Sequence, residues 1–317
     1  EIVIEGGTLT ELTSNASNTV WTGTFTATDD STTNAKVKFA DAANYTDVTG
    51  NDGATDVEAV AVVDTVSPDL AASGIEITAA NLNDATNTSV VTITFTEAVT
   101  EFNNSDITVT GGTLSTVGSN DGGVTWSGIF TASDDSTANG TITIGTDYQD
   151  LVGNVGADGG TDSVVVDTIN PTATVTFAED GLDDDTNESL VTIVFSEAVA
   201  NFSNADVSVV GGTLGTLTSA DQITWTATFT ASDDSTEEAS VTVIGEYEDN
   251  VGNIGATGAD DTATVDTTNP TATIVFDQTS LKKETGSDGA DESVVTITFS
   301  EGVTAFSNDD LVVEGGT

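Results

Sequence analysis

Short runs of alternating apolar and polar residues recur along the chain, and they are rich in β-branched and aromatic side chains. Two examples are SVVTITF at 89–95 and LVTIVF at 190–195. Alternation with a period of two is typical of half-buried β-strands, and no stretch shows a convincing helical period. In one stretch the pattern predicts strands near 74–78, 89–95, 106–110, 113–117, 124–131, 140–144 and 161–166.

The strand pattern repeats with a period close to the length of one domain. The phrase D-T-x-x-P occurs at 64–68, 167–171 and 266–270, so that its prolines are 103 and 99 residues apart. The phrases G-G-T, F-[ST]-E-x-V and Y-x-D-x-x-G-N recur at nearly the same interval. Seven short strands within about 100 residues predict an immunoglobulin-like β-sandwich.

The predicted fold class is therefore all-β, with tandem immunoglobulin-like β-sandwich domains of about 100 residues arranged head to tail. The phase of the repeats predicts the C-terminal part of a repeat at 1–63, complete repeats at 64–166 and 167–265, and the N-terminal part of a repeat at 266–317. We expect the chain to continue on both sides. The alternative is that the two partial repeats close a sandwich between neighbouring molecules.

Composition excludes several functional classes. There are 53 acidic residues against four basic ones, and a net charge of −49 disfavours nucleic acid and anionic lipid as partners. Cys, His and Met are absent, which excludes disulfides, thiolate metal sites and thiol or imidazole catalysis. No apolar run approaches the roughly 20 residues of a membrane-spanning helix, so we expect no membrane insertion in this segment.

Several phrases resemble known bacterial repeats. VDTINPTATVTF, TIVFSEAVANFSNADVSVVGGTL and YEDNVGN are similar to the bacterial Ig-like repeats of very large secreted and cell-surface adhesins. The resemblance covers the whole chain and implies an extracellular stalk or fibre that is often stiffened by calcium. It implies no particular ligand.

Carboxylates come in four repeated places. These are the linker, the loop after the second strand, a D-D-S turn, and the Y-x-D-x-x-G-N loop. In that order the residues are Asp64, Asp167 and Asp266; Glu97, Glu197 and Glu301; Asp134, Asp135, Asp233 and Asp234; and Asp47, Asp150 and Asp249.

Successive antiparallel strands run in opposite directions, so loops alternate between the two ends of a sandwich. This alternation predicts where these carboxylates lie. The linker and the loops after the second and sixth strands share one end, whereas the D-D-S turn and the loop with Asp84 share the other. At the junction into 167–265 we therefore expect Asp84, Asp134 and Asp135 to face Asp167, Glu197 and Asp249. So many hard oxygen ligands favour Ca²⁺ over zinc or magnesium.

Two simpler interpretations compete with a metal site. Asp and Asn are ordinary turn formers, and an acidic surface also keeps a protein soluble. For the D-D-S turn alone a plain turn is favoured, whereas for the linker Asp with the following Glu and loop Asp calcium is favoured.

The aromatic residues are interpreted as structural. Trp126 and Phe130 share one face of a strand, as a core pair would, although carbohydrate stacking by the tryptophan is the alternative. Tyr148 and Tyr247 precede a tight turn that the hydroxyl could anchor.

The favoured function is a structural extender within a large extracellular adhesin. A ligand- or glycan-binding adhesive module is the alternative, and a carboxylate-based glycoside hydrolase is the remote one. Because each candidate carboxylate returns in every repeat, architecture is favoured over an active site, and we expect no enzyme. The expected partners are neighbouring repeats of the same chain, with lateral or head-to-tail self-assembly into fibres as a further expectation.

Overall fold

The structure is a computed structural model of the 317-residue chain. It describes residues 2–39, 45–54, 57–245, 247–282 and 292–315. Glu1, Lys283 and the last two residues of the closing G-G-T phrase lie outside the described residues. The chain divides into two compact units: unit 1 is Glu1–Ile169 with Val251–Asn253, and unit 2 is Asn170–Asn250 with Ile254–Thr317.

Strands connected by turns form nearly all of the regular structure. Within residues 2–61 they are β1 (Ile2–Glu5), β2 (Gly7–Leu9), β3 (Thr13–Ser14), β4 (Trp21–Thr22), β5 (Phe25–Ala27), β6 (Ala35–Phe39) and β7 (Glu58–Ala61). Within 64–166 they are β8 (Leu70–Ile77), β9 (Asn81–Leu82), β10 (Thr88–Phe95), β11 (Val99–Thr100), β12 (Ile107–Thr110), β13 (Gly112–Leu114), β14 (Gly118–Ser119), β15 (Thr125–Ala132), β16 (Gly140–Ile144), β17 (Gln149–Asp150) and β18 (Gly160–Val166).

The next repeat has the same series of strands. They are β19 (Ala173–Phe177), β20 (Gly181–Asp183), β21 (Glu188–Phe195), β22 (Val199–Ala200), β23 (Val207–Val210), β24 (Gly212–Leu214), β25 (Thr218–Ser219), β26 (Thr224–Ala231), β27 (Ala239–Val243), β28 (Glu248–Asp249) and β29 (Asp260–Asp266). The strands β30 (Ala272–Phe276) and β31 (Val295–Phe299) follow. Short 3-10 helices lie at Asn104–Asp106, Asn204–Asp206 and Asn308–Asp310, and the described residues contain no α-helix.

The complete repeat of unit 1 is a two-sheet sandwich. One sheet has the order β13-β15-β10-β8, the other has the order β12-β16-β18-β9, and β11 pairs with β17 separately. The inward positions of both sheets form one core, in which Val91, Ile93, Phe130 and Ile142 are fully buried. This architecture confirms the prediction of an immunoglobulin-like all-β fold.

All seven strands predicted between 64 and 166 are present, with boundaries that shift by a few residues. The sequence pattern missed β9, β11, β14 and β17, because strands of two residues are too short to show alternation. The omission matters for the candidate site, since Asp150 lies in β17.

The complete repeat of unit 2 has the same topology. Its sheets have the orders β24-β26-β21-β19 and β20-β29-β27-β23, and β22 pairs with β28. Val191, Ile193, Phe229 and Val241 are fully buried in its core. The same phrases therefore fold in the same way in both units.

Both aromatic residues of the predicted pair lie in or against the core in the two complete repeats. Phe130 is fully buried, and the half-buried Trp126 packs edge-on against Phe102 with ring centroids 5.3 Å apart. Trp225 packs against Phe202 at the same distance of 5.3 Å. In the partial repeat at 2–61, by contrast, Trp21 is 56% exposed, because strands equivalent to β8 and β10 are not among those residues.

Candidate metal centre

Three carboxylates of unit 1 meet where the linker enters the complete repeat. Asp64 lies in the linker, Glu97 follows β10, and Asp150 ends β17. Each offers a carboxylate oxygen, and these oxygens lie within 4.8 Å of one another. Asp150 is buried, with 3% of its surface exposed, whereas Asp64 and Glu97 are half-buried. The arrangement concentrates negative charge at one end of the sandwich.

The Y-x-D-x-x-G-N phrase folds into a hairpin that presents Asp150. Its Oδ1 accepts hydrogen bonds from the backbone N–H groups of Val152, Gly153 and Asn154 at 2.8, 2.7 and 2.9 Å. Gly153 has φ +97°, a left-handed conformation that glycine adopts without steric cost. The hydrogen bonds that shape this loop are thus local, since they join residues at most four positions apart.

Tyr148 anchors the base of this hairpin. Its hydroxyl donates to the carbonyl oxygen of Asp158 at 2.6 Å, and its ring lies 4.6 Å from that of Phe95. A Cβ atom at Gly156 would lie 2.5 Å from the ring carbon Cζ of Tyr148, so only glycine fits there without a shift. The equivalent Tyr247 donates to the carbonyl oxygen of Ala256 at 2.8 Å, which confirms the structural interpretation of the tyrosines.

Asn154 connects the hairpin to the linker. Its Nδ2 donates to Oδ2 of Asp150 at 2.7 Å and to the carbonyl oxygen of Asp64 at 3.2 Å. Sequence reasoning assigned no role to this asparagine, although its recurrence at the end of the phrase was a usable signal. The amide of Asn154 thus fixes Asp64 and Asp150, two of the three candidate ligands, relative to each other.

Electrostatics act in opposite directions on Asp150 and Glu97. Burial alone would raise the pKa of Asp150, but hydrogen bonds from Asn154, Val152 and Gly153 hold that pKa below its usual value. Burial raises the pKa of Glu97, and the negative charges of Asp64 and Asp150 raise it further. In the absence of a cation, the repulsion within the cluster therefore acts against the charged form of Glu97.

The cluster retains oxygen lone pairs that could bind a cation. Among the described residues the Glu97 carboxylate accepts no hydrogen bond, and Oδ2 of Asp150 accepts the single bond from Asn154. Oδ1 of Asp64 accepts from the N–H of Val66 at 3.2 Å. An ionised carboxylate has about four acceptor positions, so each of these groups can still coordinate a metal.

The other predicted ligands lie as follows. In unit 2, Glu197 and buried Asp249 have carboxylate oxygens within 4.8 Å of each other. Asp167, in unit 1, is half-buried, and its carbonyl oxygen accepts from Nδ2 of Asn253 at 2.9 Å. Asp266 and Glu301, in unit 2, are exposed.

Among the described residues, Asp84, Asp134, Asp135, Asp266 and Glu301 belong to no group of three clustered carboxylates. Asp84 is exposed, and its backbone N–H donates to Oδ1 of Asn253 at 2.6 Å within unit 1.

The D-D-S segment forms a plain turn. Asp134 and Asp135 are exposed, and Asp135 has φ +47°, which Asp tolerates better than most residues. The hydroxyl of Thr168, from the D-T-x-x-P phrase, donates to the carbonyl oxygen of Ser133 at 2.8 Å and accepts from the N–H of Ser136 at 3.0 Å. Thr168 is only 1% exposed, and sequence reasoning missed this role.

The comparisons with known proteins identify the family. A family model of the bacterial Ig-like domain matches residues 1–62, 64–166, 167–265 and 266–317. The chain belongs to this family. A comparison with curated proteins finds no match. Within the part of the chain that is described, no helix is long and apolar enough to cross a membrane.

Solved structures with partial likeness include invasin, InvD and an endo-fucoidan hydrolase. Invasin, a bacterial integrin-binding protein, has 14% identity over 90% of this chain and 56% of its own, with a TM-score of 0.38. InvD of Yersinia pseudotuberculosis has 18% identity over 67% of this chain and 64% of its own, with a TM-score of 0.30. An endo-fucoidan hydrolase has 15% identity over 84% of this chain and 38% of its own, with a TM-score of 0.22.

Proposed function

We propose that this chain is a structural extender within a large extracellular or cell-surface bacterial adhesin. Its bacterial Ig-like domains follow one another without intervening segments of another kind, and the same carboxylate phrases return in each repeat. Repetition of this kind suits a stalk, in which each domain adds length and contacts its neighbours in the chain. The adhesive ligand would then be bound by another part of the protein.

The proposal includes Ca²⁺ bound by Asp64, Glu97 and Asp150. The observation that carries it is the approach of three carboxylates to within 4.8 Å in a chain of net charge −49. Like charges held so close repel one another unless a cation neutralises them. Calcium accepts six to eight oxygen ligands, so carbonyl and water oxygens would complete the set.

The bound ion would hold the linker against the sandwich. Asp64 belongs to the linker, whereas Glu97 and Asp150 belong to loops of the repeat that follows, so one ion would join the two parts. By repeat position the equivalents of these residues are Asp167, Glu197 and Asp249, followed by Asp266 and Glu301. The proposal extends to them by sequence equivalence.

The test is a calorimetric titration of the intact chain with Ca²⁺, repeated with Mg²⁺. We expect Ca²⁺ to bind more tightly and to raise the melting temperature, because binding to the folded state alone stabilises it by mass action. Scattering measured with and without a chelator reports whether the ion also stiffens the segment. If chelation changes neither melting nor scattering, the carboxylates serve solubility and the calcium part of the proposal is wrong.

A pair of variants assigns the binding to this site. Glu97→Gln removes one ligand charge, whereas Glu76→Gln removes the same charge from an exposed position of β8. We expect the first variant to lose one binding event and the second to retain it. Equal titration curves for the two variants would place the ions elsewhere.

A further inference from the structure

The beginning and the end of the complete repeat in unit 2 are bonded directly to each other. Near the start of the repeat, β20 pairs in parallel with β29, the last strand. The register runs from Gly181 opposite Thr264 to Asp183 opposite Asp266. In addition, the N–H and the hydroxyl of Thr264 both donate to the carbonyl oxygen of Asp180, at 2.9 and 3.1 Å.

A side-chain carboxylate extends this contact towards the start of the repeat. Oδ2 of Asp261, in β29, accepts from the N–H of Phe177, the last residue of β19, at 2.8 Å. The same bond recurs in unit 1, where Oδ2 of Asp162 accepts from the N–H of Ile77 at 2.8 Å. Since Phe177 is bonded to the early part of β29 and β20 to its later part, the entering and leaving segments advance in the same direction.

A buried threonine fixes the chain where it leaves the repeat. The hydroxyl of Thr267 donates to the carbonyl oxygen of Ser232 at 2.7 Å and accepts from the N–H of Ser235 at 3.0 Å. Thr267 is 2% exposed and directly follows β29. Thr168 makes the equivalent bonds in unit 1, so the threonine of the D-T-x-x-P phrase has the same role in both complete repeats.

Tension along the chain would load these bonds together. The chain continues on both sides of each complete repeat, so a pulling force on the repeat of unit 2 enters before β19 and leaves after β29. Because β20 and β29 are parallel, this force draws them in opposite directions along their length. The hydrogen bonds between them run across the force, share it and break as a group. Two strands that are pulled from the same end instead open one bond at a time.

We propose that these contacts form a mechanical clamp in each complete repeat. In unit 2 the clamp consists of the β20–β29 ladder with the bonds of Asp261 and Thr267, and in unit 1 of the β9–β18 ladder with those of Asp162 and Thr168. The inference deepens the proposed extender function and rests on it for the direction of the load. The ladder pairs three residues of each strand in unit 2 and two in unit 1, so the repeat of unit 2 should resist the greater force.

Single-molecule pulling of the full chain in two directions tests the clamp. Handles at the two chain ends load the ladder along its length. The chain has no cysteine, so Asp185→Cys, at an exposed position just after β20, provides a unique second attachment point. Pulling from this cysteine and the C-terminal end draws β20 and β29 apart from one end. We expect the repeat to unfold at a lower force in this direction, and equal forces in the two directions would overturn the inference.

A set of variants tests the bonds at the exit from the repeat. Thr267→Val removes two hydrogen bonds of a buried hydroxyl and should raise the unfolding rate under end-to-end force by about 10-fold. Thr262→Val is the matched control at an exposed position of β29 and should change the rate little. Ile193→Ala, in the core and outside the clamp, should lower the melting temperature while affecting forced unfolding less than Thr267→Val does. The opposite order would place the resistance in the core and contradict the clamp.

The design separates the clamp from the other proposals. All pulling is done in the presence of a chelator, so the result does not depend on calcium. The comparison of directions uses an exposed substitution and remains decisive if Thr267→Val does not fold. An extender without a clamp would unfold at equal force in both directions. If the repeats instead prove to bind an adhesive ligand, the extender function fails while the difference between the directions persists.

Discussion

The side-chain amide of Asn154 donates a hydrogen bond of 2.7 Å to the carboxylate of Asp150. The same nitrogen reaches the carbonyl oxygen of Asp64 at 3.2 Å, although Asp64 is distant in sequence. One neutral side chain thus ties the hairpin that presents a buried carboxylate to the linker that precedes the repeat. It orients candidate ligands without adding charge.

Replacing this amide should destabilise the repeat. Asn154→Ala leaves a buried carboxylate with one donor fewer and frees the linker carbonyl, so we expect a loss of about 1–3 kcal/mol in the free energy of unfolding. Asn139→Ala, at an exposed position of the same repeat, is the control and should change little. Chemical denaturation of both variants provides the measurement, and equal midpoints would show that the amide contributes nothing.

The hairpin should be sensitive to a single added methyl group. Gly156→Ala would place a Cβ 2.5 Å from a ring carbon of Tyr148, so the ring must move, at an expected cost of about 1–3 kcal/mol. Gly145→Ala meets no atom within 4 Å and should be neutral or slightly stabilising. Thermal unfolding distinguishes the two, and the steric argument fails if both variants melt together.

Glu97→Gln should have opposite effects on the melting temperature with and without calcium. The raised pKa of Glu97 means that its charged form is less stable in the folded than in the unfolded chain. Without calcium, removal of the charge should therefore raise the melting temperature. Likewise, the stability of the unsubstituted metal-free chain should increase as the pH falls through the raised pKa towards 4.5.

With calcium, Glu97→Gln should instead lower the melting temperature. At an ion concentration of about 100 times Kd the unsubstituted site gains about 2.7 kcal/mol, and the variant should gain less. Glu76→Gln should leave the calcium response intact. If Glu97→Gln lowers stability to the same extent in both conditions, its role is packing rather than coordination.

Alkaline pH should weaken the fold through Tyr148. Burial raises the pKa of this phenol from 10.0 to about 12, and the nearby charges of Asp69 and Asp158 add to the shift. Between these values the folded chain retains a proton that the unfolded chain has lost, so stability should fall as the pH rises. Tyr148→Phe should reduce the slope of melting temperature against pH, and tyrosinate absorbance should show late ionisation in the unsubstituted chain.

Catalysis should be absent. Incubation of the purified chain with glycan and ester panels should give only background turnover, because the same carboxylate phrases recur in both complete repeats, which fits a structural role better than one active site. Reproducible turnover that disappears with Asp150→Asn but persists with Glu76→Gln would favour the hydrolase alternative.

The fold was largely predictable from local patterns. Runs such as 89–95 and 140–144 became β10 and β16 because alternation and β-branched residues favour strands whatever their partners are. The alternation of loops between the two ends of a sandwich also placed the loops of Asp64, Glu97 and Asp150 at one end. There, one carboxylate oxygen of each residue lies within 4.8 Å of the others.

Other features of the site required the folded chain. The roles of Asn154 and Thr168 depend on bonds to the carbonyl oxygens of Asp64 and Ser133, which are remote in sequence. Local pattern carries no information about such partners, because the same residues form ordinary turns on their own.

The sequence by itself determined the repeat, the strands, the acidic phrases and the glycine that the hairpin requires at Gly153, since each follows from neighbouring residues. Only the tertiary structure decided which of the acidic residues cluster, as the buried Asp150 and the exposed Asp135 show. Burial and charge proximity depend on strands brought together from distant parts of the chain, so acidic residues of similar turn phrases have different surroundings.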